Sequence, residues 1–256
     1  MCELLGLNFN RPVRCSLSFR GFYHRGHQNP HGWGVARFDG RACQVFKEPI
    51  KAPNSKLAMF LRDYESFMSK IFMGHVRYAS QGKPALENTH PFSRIFQARE
   101  VVFAHNGTVN TVDKVMARAE LEFLPVGETD SEYLFCAILT VLSREGIAFS
   151  EFQEIGAVLL RFNRSGTMNL LFSEGEHLYA YRDQNGYNGL CMTERMAPFV
   201  RVSLRDEDWE IDLAEEKRPD QRGFIIATRP LTDEQWKDLS PGSLSVFKDG
   251  RCVYGA

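Results

Sequence analysis

Cys2 is the residue through which chemistry could enter this chain. Once Met1 is trimmed, one residue carries both a thiol and a free α-amine. A thiol reacts as its thiolate, and a base must create that form. N-terminal nucleophiles can use an amine as the base. Ordinary values of about 8.5 for a thiol and roughly 7.7–8.0 for an α-amine lie close together, so proton transfer between them costs little. A cysteine at position 2 is nevertheless an accident in most chains, and its meaning depends on what is built around it.

Three other places offer matching chemistry. Asn106-Gly107 follows the apolar run 100–105. Asn-Gly is a hairpin turn signal, yet an Asn amide beside a Gly N–H can also present two donors to one oxyanion. Arg77 ends the apolar stretch 70–79, where a charge belongs at a sheet rim or facing a ligand. Asp130 lies in Gly-Glu-Thr-Asp-Ser-Glu (127–132), in the first turn of an expected helix. The helix dipole favours a carboxylate there; the functional reading is that it holds a substrate ammonium.

The elements that must position these residues can be read in order. Residues 3–8 form a short strand leading in from the terminus, and Phe19–Arg25 a brief helix. Strands 33–38 and 42–47 flank an Asp39-Gly40 turn. A helix spans 54–64, with Leu57, Phe60, Leu61 and Tyr64 on one face. A buried strand covers 70–79, a loop 80–93, and a strand 100–105. Thr129 with Glu132 makes a capping box for a helix over 127–144 that stops at Gly146. A second helix covers 150–163. Strands follow at 167–173, 177–182, 199–203, 208–213, 223–228 and 243–248, with a charged surface loop at 214–222. No repeat, linker or low-complexity tract interrupts the chain, so one domain is expected over residues 2–256.

Bulk properties narrow the class. The 256 residues can bury a sizeable core. With 31 basic and 32 acidic residues the net charge is -1, without the basic excess of a nucleic-acid binder. The six cysteines are scattered with no C-x-x-C, which argues against structural zinc and a disulfide framework. The seven histidines show no ligand-like cluster. No metal or organic cofactor is implied. There is no run of membrane-spanning length and no secretion signal, so a cytoplasmic setting with Cys2 at the mature terminus is expected.

These pieces resemble the class II glutamine amidotransferases, which are N-terminal nucleophile (Ntn) hydrolases, and most closely their stand-alone YafJ-like members. The resemblance rests on Met1 to Gly6, Arg25-Gly26, Gly32-Trp33-Gly34, Gly74-His75-Val76-Arg77, Thr89 to Phe92, Ala104 to Gly107 and Gly127 to Glu132. Residues 226–232 are similar to a late family motif, except that Arg229 stands where that motif has an acid. Any one motif is weak; this order with a cysteine at position 2 is specific.

The resemblance implies an α+β fold, a four-layer αββα sandwich of two antiparallel sheets between helices. It implies Cys2 as nucleophile, with Asn106 and Gly107 as the oxyanion hole. Arg77 would clamp a substrate α-carboxylate and Asp130 an α-ammonium. His90 would sit in a loop over the site, where supporting the loop is its plainer role. Arg25 would pack near the terminus and help to fix it. His75, Tyr78 and Trp33 are expected as surrounding or core residues. The expected reaction is hydrolysis of the amide of glutamine, or of a γ-glutamyl amide, through a Cys2 thioester. An ammonia-accepting synthase acting in trans is the implied partner, because the chain has no room for one. The alternatives are a γ-glutamyl amidohydrolase without ammonia transfer and a non-catalytic glutamine sensor. A thiol protease pairing a cysteine with His75, His90 or His105 is weaker, since Cys2 with a free amine needs none of them.

Overall fold

A computed structural model describes residues 1–79 and 82–255. The chain opens with β1 (Glu3–Arg14), α1 (Ser16–Arg25), β2 (Trp33–Asp39), β3 (Ala42–Glu48), α2 (Lys56–Asp63) and β4 (Met68–Val76). Its middle holds β5 (Phe92–Phe96), β6 (Arg99–Thr108), α3 (Asp130–Arg144) and α4 (Phe152–Asn163). The remainder is β7 (Thr167–Ser173), β8 (Leu178–Tyr181), β9 (Cys191–Met196), β10 (Arg201–Ser203), β11 (Glu210–Asp212), α5 (Leu213–Glu216), β12 (Arg222–Ala227), β13 (Lys237–Asp238), β14 (Leu244–Lys248) and β15 (Arg251–Tyr254).

Two large antiparallel sheets form, in the orders β13-β9-β12-β1-β4-β2-β3 and β15-β14-β8-β7-β6-β5, and β10 pairs with β11 apart from them. Side chains alternate across a strand, and β1 shows how that builds layers. Leu5, Leu7 and Phe9 face outward into a cluster with Phe19 and Phe22 of α1 and Ala58 and Leu61 of α2. Leu4 faces inward and meets Val102, Ala104, Leu171 and Ala180 of the second sheet. The other face of that sheet packs Phe103 and Leu170 against Leu134, Ile138, Leu159 and Phe162 of α3 and α4. The result is the helix–sheet–sheet–helix sandwich. Each fully buried Leu or Phe contributes roughly 1.5–3 kcal/mol.

α3 begins as its sequence dictates, with one change. The Thr129 hydroxyl caps the helix by accepting from the Glu132 amide at 3.2 Å. The Glu132 carboxylate does not return to the cap residue. It accepts from the Gly127 amide at 2.7 Å and pairs with Arg94 at 2.5 Å. Only half of the capping box forms, because a nearby cation and a closer loop amide compete for the buried carboxylate.

Other expectations are corrected. Asn106-Gly107 is not a turn: β6 runs through it to Thr108, paired with β7. The expected loop 80–93 holds a short 3-10 turn at Leu86–Asn88 and the start of β5, while its residues 80 and 81 lie outside the described ones. The strands β9, β13 and β15 were not expected. Residues 213–216 of the charged stretch form the short α5, capped by Asp212.

Candidate active site

The terminus is held from all sides. β1 lies in the middle of its sheet, between β12 and β4. The Leu4 amide donates to the Thr228 hydroxyl at 2.9 Å, and the Thr228 amide donates to the Leu4 carbonyl at 3.2 Å. Glu3 is buried, and its carboxylate accepts from Arg25 Nη1 at 2.7 Å and from Arg229. Arg25, also buried, donates further to Asp206 at 2.7 Å and to the carbonyls of Arg229 and Pro230. In sequence Arg229 is a reversed charge in a motif; in the structure it is the second cation on Glu3, the residue after Cys2.

Cys2 itself is fixed at both its sulfur and its carbonyl. Sγ accepts from the Tyr78 amide at 3.1 Å and donates to the Tyr78 carbonyl at 3.2 Å. The Cys2 carbonyl accepts from Asn106 Nδ2 at 2.7 Å and from Asn188 Nδ2 at 3.4 Å. Burial pushes the thiol above its ordinary value; the Tyr78 amide, the chain-terminal amine and Arg77 pull the other way. A thiol raised by burial needs a base beside it. While Met1 is present the Cys2 nitrogen is a peptide amide and cannot serve. Met1 is 63% exposed, its sulfur accepting from the Tyr187 hydroxyl at 3.3 Å.

Cys2 opens into a narrow cleft of about 20 Å³, lined also by Arg77, Tyr78, His90, Gly107 and Asp130. That space is about the size of one water. Arg77 follows β4 directly. Its backbone is fixed by hydrogen bonds with Gly32 and His31. Its guanidinium donates to the carbonyls of Gly82 at 3.1 Å and Lys83 at 3.4 Å. Burial disfavours its charge, while Cys2 and Asp130 favour it. Asp130 accepts from the Val109 amide at 2.7 Å and from the Ser131 amide at 2.9 Å, tying the start of α3 to the end of β6.

Gly107 admits no side chain. A Cβ there would stand 2.0 Å from the Thr167 carbonyl oxygen and 2.6 Å from His105 Nε2. Asn106 lies behind the cleft. One amide hydrogen goes to the Cys2 carbonyl, and the other has only a long contact of 3.4 Å to the Thr228 hydroxyl.

The structure thus gathers Cys2, Arg77, His90, Gly107 and Asp130 at one cleft and sets Asn106 and Arg25 behind it. Sequence reasoning missed Thr228, Asn188 and the Tyr78 backbone. Thr228 and Asn188 reach the terminus only through strand register and loop path, and a backbone group leaves no signal in residue type. Trp33 and His75 are core residues, as expected.

Two features lie apart from this cleft. A groove of about 620 Å³ at the far end of β1 is lined by Asn8, Arg37, Lys70, Arg99 and Lys248, and shares no residue with the site. Glu174, Glu176 and His177 bring ligand atoms within 4.8 Å of one another, a grouping the sequence reading did not anticipate. Their groups are engaged: His177 Nδ1 meets Glu174 at 2.6 Å, and Glu176 pairs with Lys248 and Arg99. Among the described residues no helix is long and apolar enough to cross a membrane.

A thiol at residue 2, a guanidinium and a carboxylate thus line one cleft on an αββα sandwich. The family model for class II glutamine amidotransferases matches residues 1–256. The chain is 37% identical to the putative glutamine amidotransferase YafJ of Escherichia coli, over 99% of this chain and 100% of that protein. It is 43% identical to an uncharacterised Methanocaldococcus jannaschii protein, over 99% of this chain and 71% of the relative. The crystal structure of a predicted glutamine amidotransferase from Pseudomonas aeruginosa superposes with a TM-score of 0.72 at 30% identity, covering 98% of this chain and 99% of that one. A Bacillus subtilis phosphoribosylpyrophosphate amidotransferase, at 16% identity, shares the fold (TM-score 0.67) over 48% of its own length. The chain belongs to the class II glutamine amidotransferases, enzymes of the Ntn-hydrolase fold that act on the amide of glutamine.

Proposed function

We propose that this protein hydrolyses the γ-carboxamide of glutamine, or a γ-glutamyl amide, through a thioester on Cys2. The observation that carries the reading is the placement of the Cys2 thiol in one cleft with Arg77 and Asp130. An α-amino acid presents a carboxylate and an ammonium, the complement of that pair. A guanidinium suits the carboxylate because it can donate twice in one plane.

After Met1 is removed, the α-amine of Cys2 takes the thiol proton. The thiolate attacks the amide carbon, and the oxyanion is received by Asn106 Nδ2 and the Gly107 N–H. Asn106 has a hydrogen for this role, since its contact with Thr228 is long. The protonated amine then gives its proton to the leaving nitrogen, and ammonia or an amine departs. Water reverses these proton movements and releases glutamate. Each oxyanion donor is worth ~3–4 kcal/mol in such reactions. Arg25, through Glu3, holds the terminus in place. The ammonia passes to a synthase acting in trans, in a cytoplasmic setting.

Cys2→Ala should abolish glutamate release from glutamine and from a γ-glutamyl anilide; unchanged turnover would refute the nucleophile. Glutamine tested against a panel of γ-glutamyl amides, with and without cell extract, separates ammonia delivery from simple amidohydrolysis. Stimulation by extract with glutamine alone supports a partner synthase.

A further inference from the structure

His90 is the residue whose surroundings the reaction above leaves unexplained. It is 4% exposed and lines the same cleft as Cys2, Arg77 and Asp130. Both of its ring nitrogens are buried without a hydrogen-bond partner. Buried polar atoms are satisfied in the great majority of cases, and those without a protein partner commonly bond to water. The ring cannot retreat. The His90 carbonyl lies against β2 so closely that a Cβ on Gly34 would stand 2.2 Å from it. On either side the ring packs on His75 and Phe92, with centroids 4.2 and 4.4 Å away.

His75 extends the pattern. Its Nε2 lies 3.1 Å from the His105 carbonyl, so that nitrogen carries the proton. Its Nδ1 is then a lone pair, buried and also without a partner. Burial keeps both rings neutral, so His90 offers one N–H and one lone pair. The two rings, tilted 32° to each other, together present two acceptors and one donor with nothing to meet them. A water molecule has the opposite inventory, two donors and two lone pairs. His90 lines the cleft, whose space is about that of one water, and His75 packs behind it.

We propose that His90, backed by His75, seats the water that hydrolyses the Cys2 thioester. This rests on the thioester reading given above. In the step, the water oxygen forms a bond to the thioester carbon. One water proton passes to the Cys2 α-amine, while the other stays hydrogen-bonded to the His90 lone pair. The tetrahedral intermediate then expels sulfur with the C–S electron pair, and the ammonium returns its proton to give the thiol. The product acid ionises to solvent, and His90 neither gains nor loses a proton. Its part is to orient the water, so it governs the second half of the reaction and leaves the first largely untouched.

The test is the fate of the thioester when a second acceptor competes. Glutamine is supplied with hydroxylamine, and γ-glutamyl hydroxamate and glutamate are measured together. The ratio of the two products does not depend on how much of a preparation is folded. His90→Leu should raise the hydroxamate-to-glutamate ratio by about tenfold, the loss of roughly one hydrogen bond. Without hydroxylamine it should leave a glutamyl adduct on Cys2, visible in the intact mass. His90→Asn, which keeps a donor and an acceptor, should shift the ratio less. If His90→Leu does not fold, His90→Met replaces it, because methionine adapts to irregular space. An unchanged ratio in a folded Leu or Met variant, with no adduct, overturns the assignment of His90 alone. Failure of the wild-type enzyme to form any hydroxamate overturns the thioester reading beneath it.

Discussion

At the scale of single residues, Asp130 joins a structural duty to the chemical one that the proposed function gives it. Two backbone amides already hold it, so its position is set before any substrate arrives. Asp130→Asn removes the charge and, because its amide has one acceptor oxygen where the carboxylate has two, also gives up one of these two backbone hydrogen bonds. A hydrogen bond to a charged group is worth about 1.5–3 kcal/mol, so kcat/KM for glutamine should fall roughly tenfold to a hundredfold. An analogue lacking the α-amine should be hydrolysed almost equally by both forms; an equal loss with that analogue would contradict the assignment. Cys2 carries a pH prediction. Its thiol is raised by burial, so the deprotonated form appears only at higher pH. In a chain retaining Met1, alkylation of Cys2 by iodoacetamide should rise only above the ordinary thiol range of about 8.5. At this scale the sequence marked Arg77, a charge ending an apolar stretch, whereas Cys2 and Asp130 each had an ordinary reading and were singled out by the resemblance. No spacing could reveal the partnership of Arg229 with Glu3.

At the scale of elements, the site depends on β1 and on where β6 ends. The Glu3–Arg25 pair anchors the first to α1, with both side chains at 5% exposure or less. Removing one partner of a buried pair strands the other, at a cost of roughly 3–5 kcal/mol. Glu3→Gln should lower unfolding free energy by that order in urea titrations, with two arginines, Arg25 and Arg229, left facing each other. β6 carries the tighter constraint. Gly107→Ala places a methyl against the Thr167 carbonyl, where only backbone movement could relieve it. Loss of glutaminase activity should accompany a lower melting temperature; a fully active, equally stable variant would show that β6 and β7 can part at no cost. The sequence announced helices well, since α3 has a threonine cap and core residues at helical spacing. It misplaced the end of β6, because Asn-Gly is a turn signal that tertiary pairing with β7 overrides. Short edge strands such as β13 and β15 were invisible, since they are largely exposed and lack alternation.

At the scale of the whole molecule, burying histidines in the neutral form couples stability to pH. His75 is lowered from 6.5 to about 3, and His90 is lowered too, both chiefly by burial. The unfolded chain binds these protons below about pH 6.5, and the folded chain does not. Their stability contribution is therefore complete above that pH and declines below it, for His75 until about 3. In that window His75 adds a slope of about 1.4 kcal/mol per pH unit, and His90 acts in the same direction. Urea midpoints measured from pH 7 to pH 4 should fall accordingly, and His75→Asn should flatten the decline. The four-layer arrangement was an implication of resemblance; periodicity alone showed strands and helices without saying how two sheets face each other. One further consequence comes from the order of strands around β1. The strand that follows Cys2 pairs on one side with β4 and on the other with β12, which comes from residues 222–227. During synthesis, that second neighbour leaves the ribosome only after residues 222–227 have been made. Until then β1 lacks its β12 partner, so the pairing that holds the Leu4 backbone against Thr228 is completed late.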